Sequence, residues 1–407
     1  MSVQPLALPA RGVKFAALPP LSLYVHIPWC VRKCPYCDFN SHEMRGAAAG
    51  GGGEAPSLDP GLEKDYVAAL VRDLDEALPG IWGRPVRTVF FGGGTPSLLS
   101  AASLDALLSA IRARVTLVAD AEITLEANPG TFEARKFADF RAAGVNRLSI
   151  GVQSFQPAHL KTLGRIHDDA QARGALDIAR RTFDNFNIDL MYALPGQDLA
   201  GALADIEAAL AYEPSHLSAY HLTIEPNTLF HRHPPVVPED DVAADMQEAI
   251  EARLARAGFV HYETSAFARP GRECRHNLNY WTFGDYLGIG AGAHGKLSFP
   301  GRVLRQMRWK HPREYLEKAA AGNGVQQEQP IDLDALPFEF MMNALRLTGG
   351  IDLELFEART GLPLHSVKKG LAEAEARGLV ERDHKRLRPT LKGQRFLNDL
   401  LQIFLEV

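Results

Sequence analysis

Short apolar, β-branched runs recur through the first half of the chain. LYVHIP (23–28), VRTVFFGGG (86–94), AEITLEANP (121–129), NRLSIGVQ (146–153), FNIDLMYALPG (186–196) and HLSAYHLTIEP (216–226) each read as a strand. Their near-continuous apolar character predicts strands covered on both faces, as in a parallel sheet. Between them the spacing changes to four. Leu62, Tyr66, Leu70, Leu74 and Leu78 mark one helical face, and Leu199, Leu203, Ile206 and Leu210 mark another. Strand and helix alternating this often predict an α/β fold of βα units, either a barrel or an open doubly wound sheet. In both, chemistry gathers at the C-terminal ends of the strands. The polar and glycine-rich signatures fall at such ends: cysteines after the first run, GGGTP after the second, EANP at the third, GVQSF at the fourth, and ID within the fifth.

From about residue 330 the pattern becomes helical, followed by a short hairpin in LVERDHKRLRPT, and resembles a winged-helix module. Four segments follow: a loose lead-in at 1–20, a core at 21–250, a connecting segment at 251–325 and the C-terminal module at 326–407. The glycine-rich stretch RGAAAGGGGEAP (45–56) reads as a flexible loop without assigned function. Lys368, Lys369, Arg377, Arg382 and Lys385 open a DNA-binding reading of the module. The net charge of -5 argues instead for a structural appendage with a solvated face.

Composition adds bounds. A chain of 407 residues calls for more than one small domain, and 46% hydrophobic with 23% charged residues is ordinary for a packed core. No apolar run reaches the roughly 18 residues of a membrane span. The N-terminal MSVQPLALPARGVKFAALPP has no continuous apolar stretch, so a signal peptide is not expected. The expected compartment is the reducing cytoplasm, where clustered cysteines hold metal more often than disulfides.

Three of the four cysteines stand in HIPWCVRKCPYCDF, spaced Cys30-x3-Cys34-x2-Cys37. Thiolates are soft ligands for zinc or an iron–sulfur cluster. Structural zinc wants four protein ligands, and here only the distant Cys274 or the nearby His42 is left to complete a set. Three cysteines on a cubane of four irons leave one iron open to a small molecule. This spacing after a first strand, with an aromatic beside the third cysteine, resembles the radical S-adenosylmethionine (SAM) superfamily. The resemblance implies a partial (β/α)6-type barrel, a [4Fe-4S] cluster on Cys30, Cys34 and Cys37, and SAM chelating the open iron. It also implies reductive cleavage of SAM to methionine and a 5′-deoxyadenosyl radical.

The match extends further. YVHIPWC, GGGTPSLL, EANPG, RLSIGVQSF, LGRIH and IDLMYALPGQ together resemble the oxygen-independent coproporphyrinogen III oxidase group, from about Leu21 to the C-terminus. The positions of that group's SAM contacts fall here on Tyr24, Gly93, Gly94, Thr95, Glu126, Gln153, Arg165 and Asp189. Two departures put the oxidase's decarboxylation in doubt. Phe39 stands where the oxidase has a further cysteine, and only about twenty residues precede the first strand. In ECRHNLNYWTFGDYLGIGAGAHGK (273–296) the pattern His276-Asn277-x2-Tyr280-Trp281 resembles oxidase-like heme chaperones.

For this stretch two readings stand side by side. Cys274 and His276 are candidate axial ligands of heme iron, with His26 and His294 as alternatives, and Tyr280 and Trp281 candidate porphyrin contacts. The other reading is a structural loop with a buried His–Asn pair and core aromatics. The resemblance implies heme as cargo and apo-hemoproteins of the respiratory chain as partners. Homodimer formation and peripheral membrane contact belong to the same expectation; nucleic acid does not. The alternative is an enzyme that oxidatively decarboxylates propionate side chains to vinyl groups.

Overall fold

The computed structural model describes residues 12–44, 57–130 and 134–405. The glycine-rich stretch 45–56 and most of the lead-in lie outside the described residues. Six strands follow the predicted order: β1 (Leu21–Ile27), β2 (Val86–Gly93), β3 (Leu117–Ala127), β4 (Arg147–Gln153), β5 (Phe186–Tyr192) and β6 (His216–His221). They pair in sequence, all parallel. After them come β7 (Val260–Glu263), β8 (Ala266–Ala268), β9 (Asp285–Ile289), β10 (His294–Phe299), β11 (Arg302–Arg308) and β12 (Val325–Pro330). One twelve-stranded sheet results, in the order β12-β11-β10-β9-β1-β2-β3-β4-β5-β6-β8-β7. Strand β9 adds parallel to β1, so Leu21 lies opposite Asp285. The segment expected as a connector thus supplies the sheet's other half.

The strands do not carry apolar side chains on both faces, as their sequences suggested. They alternate. Leu21, Leu23, Val25 and Ile27 of β1, with Leu148, Ile150 and Val152 of β4, join the main apolar core. The opposite positions are polar: Ser22, Tyr24 and His26; Glu122, Thr124 and Glu126; Arg147, Ser149 and Gln153; Asn187 and Asp189; His216 and Ser218. Histidines, threonines and isolated charges interleaved with long aliphatic residues disguised a period of two.

The helix Pro60–Ile81 buries Tyr66, Leu70 and Leu74 in that core, while Leu62 and Leu78 pack partly against it. The helix Leu199–Leu210 departs from expectation. It buries Ala202, Asp205, Ile206 and Ala209, and Leu199 is exposed. Asp205 takes the inner position because its carboxylate accepts from Ser154 Oγ (2.7 Å) and Phe155 N (2.8 Å), fixing the turn after β4. A second core, with Phe340, Phe356, Leu371, Leu387 and Leu400, holds the C-terminal helices and the hairpin Val380–Arg382/Arg386–Pro389. There Arg377 pairs with Glu373 and Arg382 with Glu375, so part of the basic face is neutralised. No helix among the described residues is long and apolar enough to cross a membrane.

Candidate functional site

The polar strand faces enclose a cavity of about 350 Å³ that opens beside the cysteine loop. Cys30, Cys34, Cys37, Gly93, Gly94, Thr95, Glu126, Gln153, Arg165 and Asp189 all line it. Ten residues singled out along 160 positions of sequence therefore meet around one space. Tyr24 does not line it; its hydroxyl is 3.0 Å from Nδ1 of His26, beneath the glycines.

Each sulfur has a different neighbour. Thr95 Oγ1 lies 3.5 Å from Cys30 Sγ, Arg165 Nη1 3.6 Å from Cys34 Sγ, and Ser41 Oγ 3.7 Å from Cys37 Sγ. All three cysteines are free. Burial pushes the Cys30 thiol up to about 11 and raises Cys37 as well, so neither thiolate forms readily without a positive partner. Among the described residues no group of three His, Cys, Asp or Glu side chains is arranged to hold a single metal ion. Three thiols lining one cavity, with the Arg165 guanidinium beside Cys34, are a soft donor set that fits an iron–sulfur cluster.

The loop is fixed at its far end. Asn40 Nδ2 donates to the carbonyls of Ala291 (3.0 Å) and Lys310 (2.9 Å), and the Asn40 carbonyl sits 2.9 Å from His26 Nε2. Burial holds His26 down to about 4, so this imidazole is neutral and acts as a strut. The glycines have a packing reason beside any ligand-facing one. A Cβ on Gly94 would come within 2.5 Å of the Trp29 carbonyl, and Gly93 adopts φ +112° against the His26 ring.

Glu126 and Asp189 bring two carboxyl groups into the cavity. Enclosure, then the proximity of Asp189, pushes Glu126 up to about 8, although Gly93 N donates to it at 3.2 Å. Burial raises Asp189 too, against hydrogen bonds from Ser218, Asn187 and Ser149. Among the described residues neither carboxyl makes an ion pair, although Arg147 is near enough to lower both, which suits a ligand bringing an ammonium group and hydroxyls. Arg165 reaches Asn128 Oδ1 (2.6 Å) and the Gly151 carbonyl (2.7 Å) as well as Cys34. Asn128 in turn donates to Thr95 Oγ1 at 3.1 Å, closing a chain from Cys34 to Cys30. Sequence reasoning noted the EANP signature but passed over Asn128; its place beside Glu126 at the strand end was the available signal. Arg147, Asn187, His216 and Tyr220 also line the cavity and were missed, because nothing local distinguishes them from ordinary strand residues. Phe39 stands at the mouth, 61% exposed.

The His276-Asn277-x2-Tyr280-Trp281 pattern lies at the opposite end of the barrel. Residues Arg275–Trp281 form a short helix whose first amides are capped by Glu122, at 3.2 Å from Arg275 N and 3.1 Å from His276 N. His276 is buried, with Nδ1 2.7 Å from Thr88 Oγ1 and Nε2 3.0 Å from the Tyr280 hydroxyl. Burial lowers its pKa to about 3. Cys274 is fully buried beside Glu122, and burial pushes its thiol up to about 12. Trp281 lies under the Arg346 guanidinium, 4.3 Å from the ring centre. None of these four side chains lines the cavity. In this arrangement Cys274 and His276 present no open atom to a heme iron; the helix serves as the barrel's floor.

Comparison with known proteins agrees with this geometry. Residues 24–209 match the model of the radical SAM superfamily, and residues 331–396 match the HemN C-terminal domain. The chain is similar to the heme chaperone HemW of Escherichia coli, 50% identical over 95% of this chain and 99% of that protein. It is 45% identical to the heme chaperone HemW of Haemophilus influenzae, over 95% and 98%. It is 35% identical to the mitochondrial radical S-adenosyl methionine domain-containing protein 1 of Bos taurus, over 97% and 88%. Among solved structures, the coproporphyrinogen III oxidase HemN of Escherichia coli superposes with a TM-score of 0.78 at 25% identity, covering 95% of this chain and 90% of that one.

Proposed function

This chain belongs to the HemW family within the radical SAM superfamily, and from that premise we propose that it is a heme chaperone. It binds heme and passes it to apo-hemoproteins, those of the respiratory chain first, from the cytoplasm and with peripheral contact to the membrane. A homodimer is part of the proposal. The observation that carries the reading is the 50% identity to a heme chaperone over nearly the whole chain, against 25% to the oxidase that shares the fold. Phe39 at the cavity mouth supports it, since the resemblance gives the oxidase a cysteine there.

Cys30, Cys34 and Cys37 would hold the [4Fe-4S] cluster. When bound, such a cluster supplies a reducing electron and one iron open to SAM. The chain's own part is positioning. Arg165 and Thr95 donate toward the sulfurs and hold the loop at two points. Glu126 and Asp189 would accept hydrogen bonds from the ligand's hydroxyl and ammonium groups, and Gly93 and Gly94 allow the backbone close to it. Gln153, at φ +70°, turns the chain back at the rim. Enclosure keeps water from competing for these contacts.

Heme is cargo. Cys274, His276, Tyr280 and Trp281 remain its proposed determinants through the family resemblance. For His276 to reach iron it must release Thr88 or Tyr280, so heme loading would be coupled to movement of the floor helix. A transfer assay tests the function. Heme-loaded protein is mixed with an apo-hemoprotein and the Soret band is followed as it moves to the acceptor. Heme that stays on the protein, or never binds, refutes the chaperone reading.

A further inference from the structure

The lumen ends on a buried guanidinium, Arg147, that makes no direct ion pair among the described residues. Among the described residues three Lys or Arg side chains are fully buried: Arg147, Lys296 and Arg308. Arg308 is paired with Asp73 at 3.0 Å and Lys296 with Asp285 at 2.9 Å. Arg147, first residue of β4 and 2% exposed, makes no ion pair among the described residues, and its Nε has no hydrogen-bond partner. Glu122 and Asp189 are near enough to favour the charged guanidinium, but neither forms an ion pair with it, and their oxygens are hydrogen-bonded elsewhere. Glu122 caps the floor helix at Arg275 and His276, and Asp189 accepts from Ser149 Oγ (3.0 Å) and Asn187 Nδ2 (2.8 Å). Thr124, opposite Arg147 on β3, also has a buried hydroxyl without a partner. A buried guanidinium with an unpartnered N–H leaves donor capacity open to an anion that enters.

The cavity gives that something a way in. Arg147 and Asn277 both line its inner end. Asn277 comes from the floor helix, and its side-chain amide forms no hydrogen bond within the described chain. A planar fork of N–H donors and a free amide face one space. We propose that Arg147 and Asn277 form a carboxylate-binding subsite at the floor of the barrel, distinct from the cavity end at the cysteine loop. It is not the place of the guanidinium at Cys34: Arg165 is tied to Gly151, four residues along the same strand, which at ~3.3 Å per residue is roughly 13 Å away. A carboxylate suits the fork because two parallel N–H···O bonds form at once. It is either the propionate of a porphyrin or a free small carboxylic acid. The proposal does not depend on the heme reading.

The test uses full-length, cluster-reconstituted protein and propionate as probe. Sodium propionate is titrated against sodium chloride at constant ionic strength, following the thermal midpoint. A saturable rise with propionate alone is expected, with binding at least tenfold weaker in Arg147→Gln. Should that variant fail to fold, Asn277→Ala changes a half-buried position and is expected to weaken propionate binding with the fold intact. No difference between propionate and chloride, or equal propionate binding by parent and variants, overturns the proposal. A second titration with heme and heme dimethyl ester identifies the source. Heme affinity lowered by Arg147→Gln, with the ester unaffected, assigns a porphyrin propionate; heme affinity unchanged beside lost propionate binding assigns a free acid. Propionate binding in a protein that takes up no heme leaves the subsite standing and removes the chaperone reading.

Discussion

Nδ1 of His276 lies 2.7 Å from Oγ1 of Thr88, inside the barrel and away from solvent. The hydroxyl of Thr88 itself donates to Ser22 Oγ at 2.8 Å, so three elements distant in sequence are joined: β1, β2 and the floor helix. A histidine read from sequence as a heme ligand thus also closes the bottom of the barrel. The two roles compete for the same nitrogens, and the competition can be measured.

Replacing Thr88 by Val frees His276 Nδ1 while keeping the ring. The lost hydrogen bond should lower unfolding stability by about 1–2 kcal/mol. If His276 reaches heme iron, its release should tighten heme binding in an equilibrium titration. His276→Ala should lower stability by about 2–4 kcal/mol, as a cavity and two unmet partners are left, and should shift or remove the Soret band. Loss of stability with an unchanged spectrum would reassign the residue to structure alone.

The cysteines have no substitutes. Cys274, the remaining one, is buried at the floor beside Glu122. Alanine at Cys30, Cys34 or Cys37 should abolish cluster iron after anaerobic reconstitution, while the far-ultraviolet circular dichroism stays unchanged. Iron retained in the triple variant would contradict the ligand assignment.

Glu126 provides a pH signature. Its carboxyl is raised from an ordinary 4.5 to about 8 in the folded chain. Between these values the folded state binds more protons than the unfolded one, so this group's contribution to stability falls as pH rises from about 4.5 to about 8. Glu126→Gln should remove that fall and leave the variant relatively more stable at pH 8, by about 1–2 kcal/mol since the carboxyl faces a cavity. Thermal midpoints from pH 5 to 8 test it; parallel curves for parent and variant would contradict the raised pKa.

Asp73 ties the first long helix to β9 and β11. It pairs with Arg308, accepts from Tyr315 at 2.9 Å and takes the Gly290 amide at 3.1 Å. The adjoining Tyr66 hydroxyl bonds the carbonyl of His26, linking this cluster to the cysteine loop. Asp73→Ala should lower stability by about 3–5 kcal/mol in denaturant titration, because Arg308 is left buried and unpaired.

How much of this could be read from sequence depended on how local the signal was. Strands β1 to β6 were legible because each carries its own apolar run, with ends misplaced by a few residues. The cysteine loop and the GGGTP turn were legible because their spacing is short and chemically demanding. Strands β9 to β12 were not. Asp285, Lys296 and Arg308 sit at buried positions and satisfy one another or Asp73 across long sequence separations, which breaks any apolar pattern. Arg147 was equally invisible, since its significance lies in what fails to pair with it. The polar lumen hid for a related reason: alternate polar residues looked like noise in apolar strands until the barrel gave them a common inside.

The central claim is that a radical SAM cavity here serves a protein that carries heme and does not make its precursor. Anaerobic incubation of cluster-reconstituted protein with SAM, a reductant and coproporphyrinogen III, with products separated by HPLC, tests it most directly. Heme binding is measured on the same preparation. The predicted result is bound heme and no divinyl product. Formation of the divinyl porphyrinogen, with Phe39 in place, would contradict the account and make this protein an oxidase.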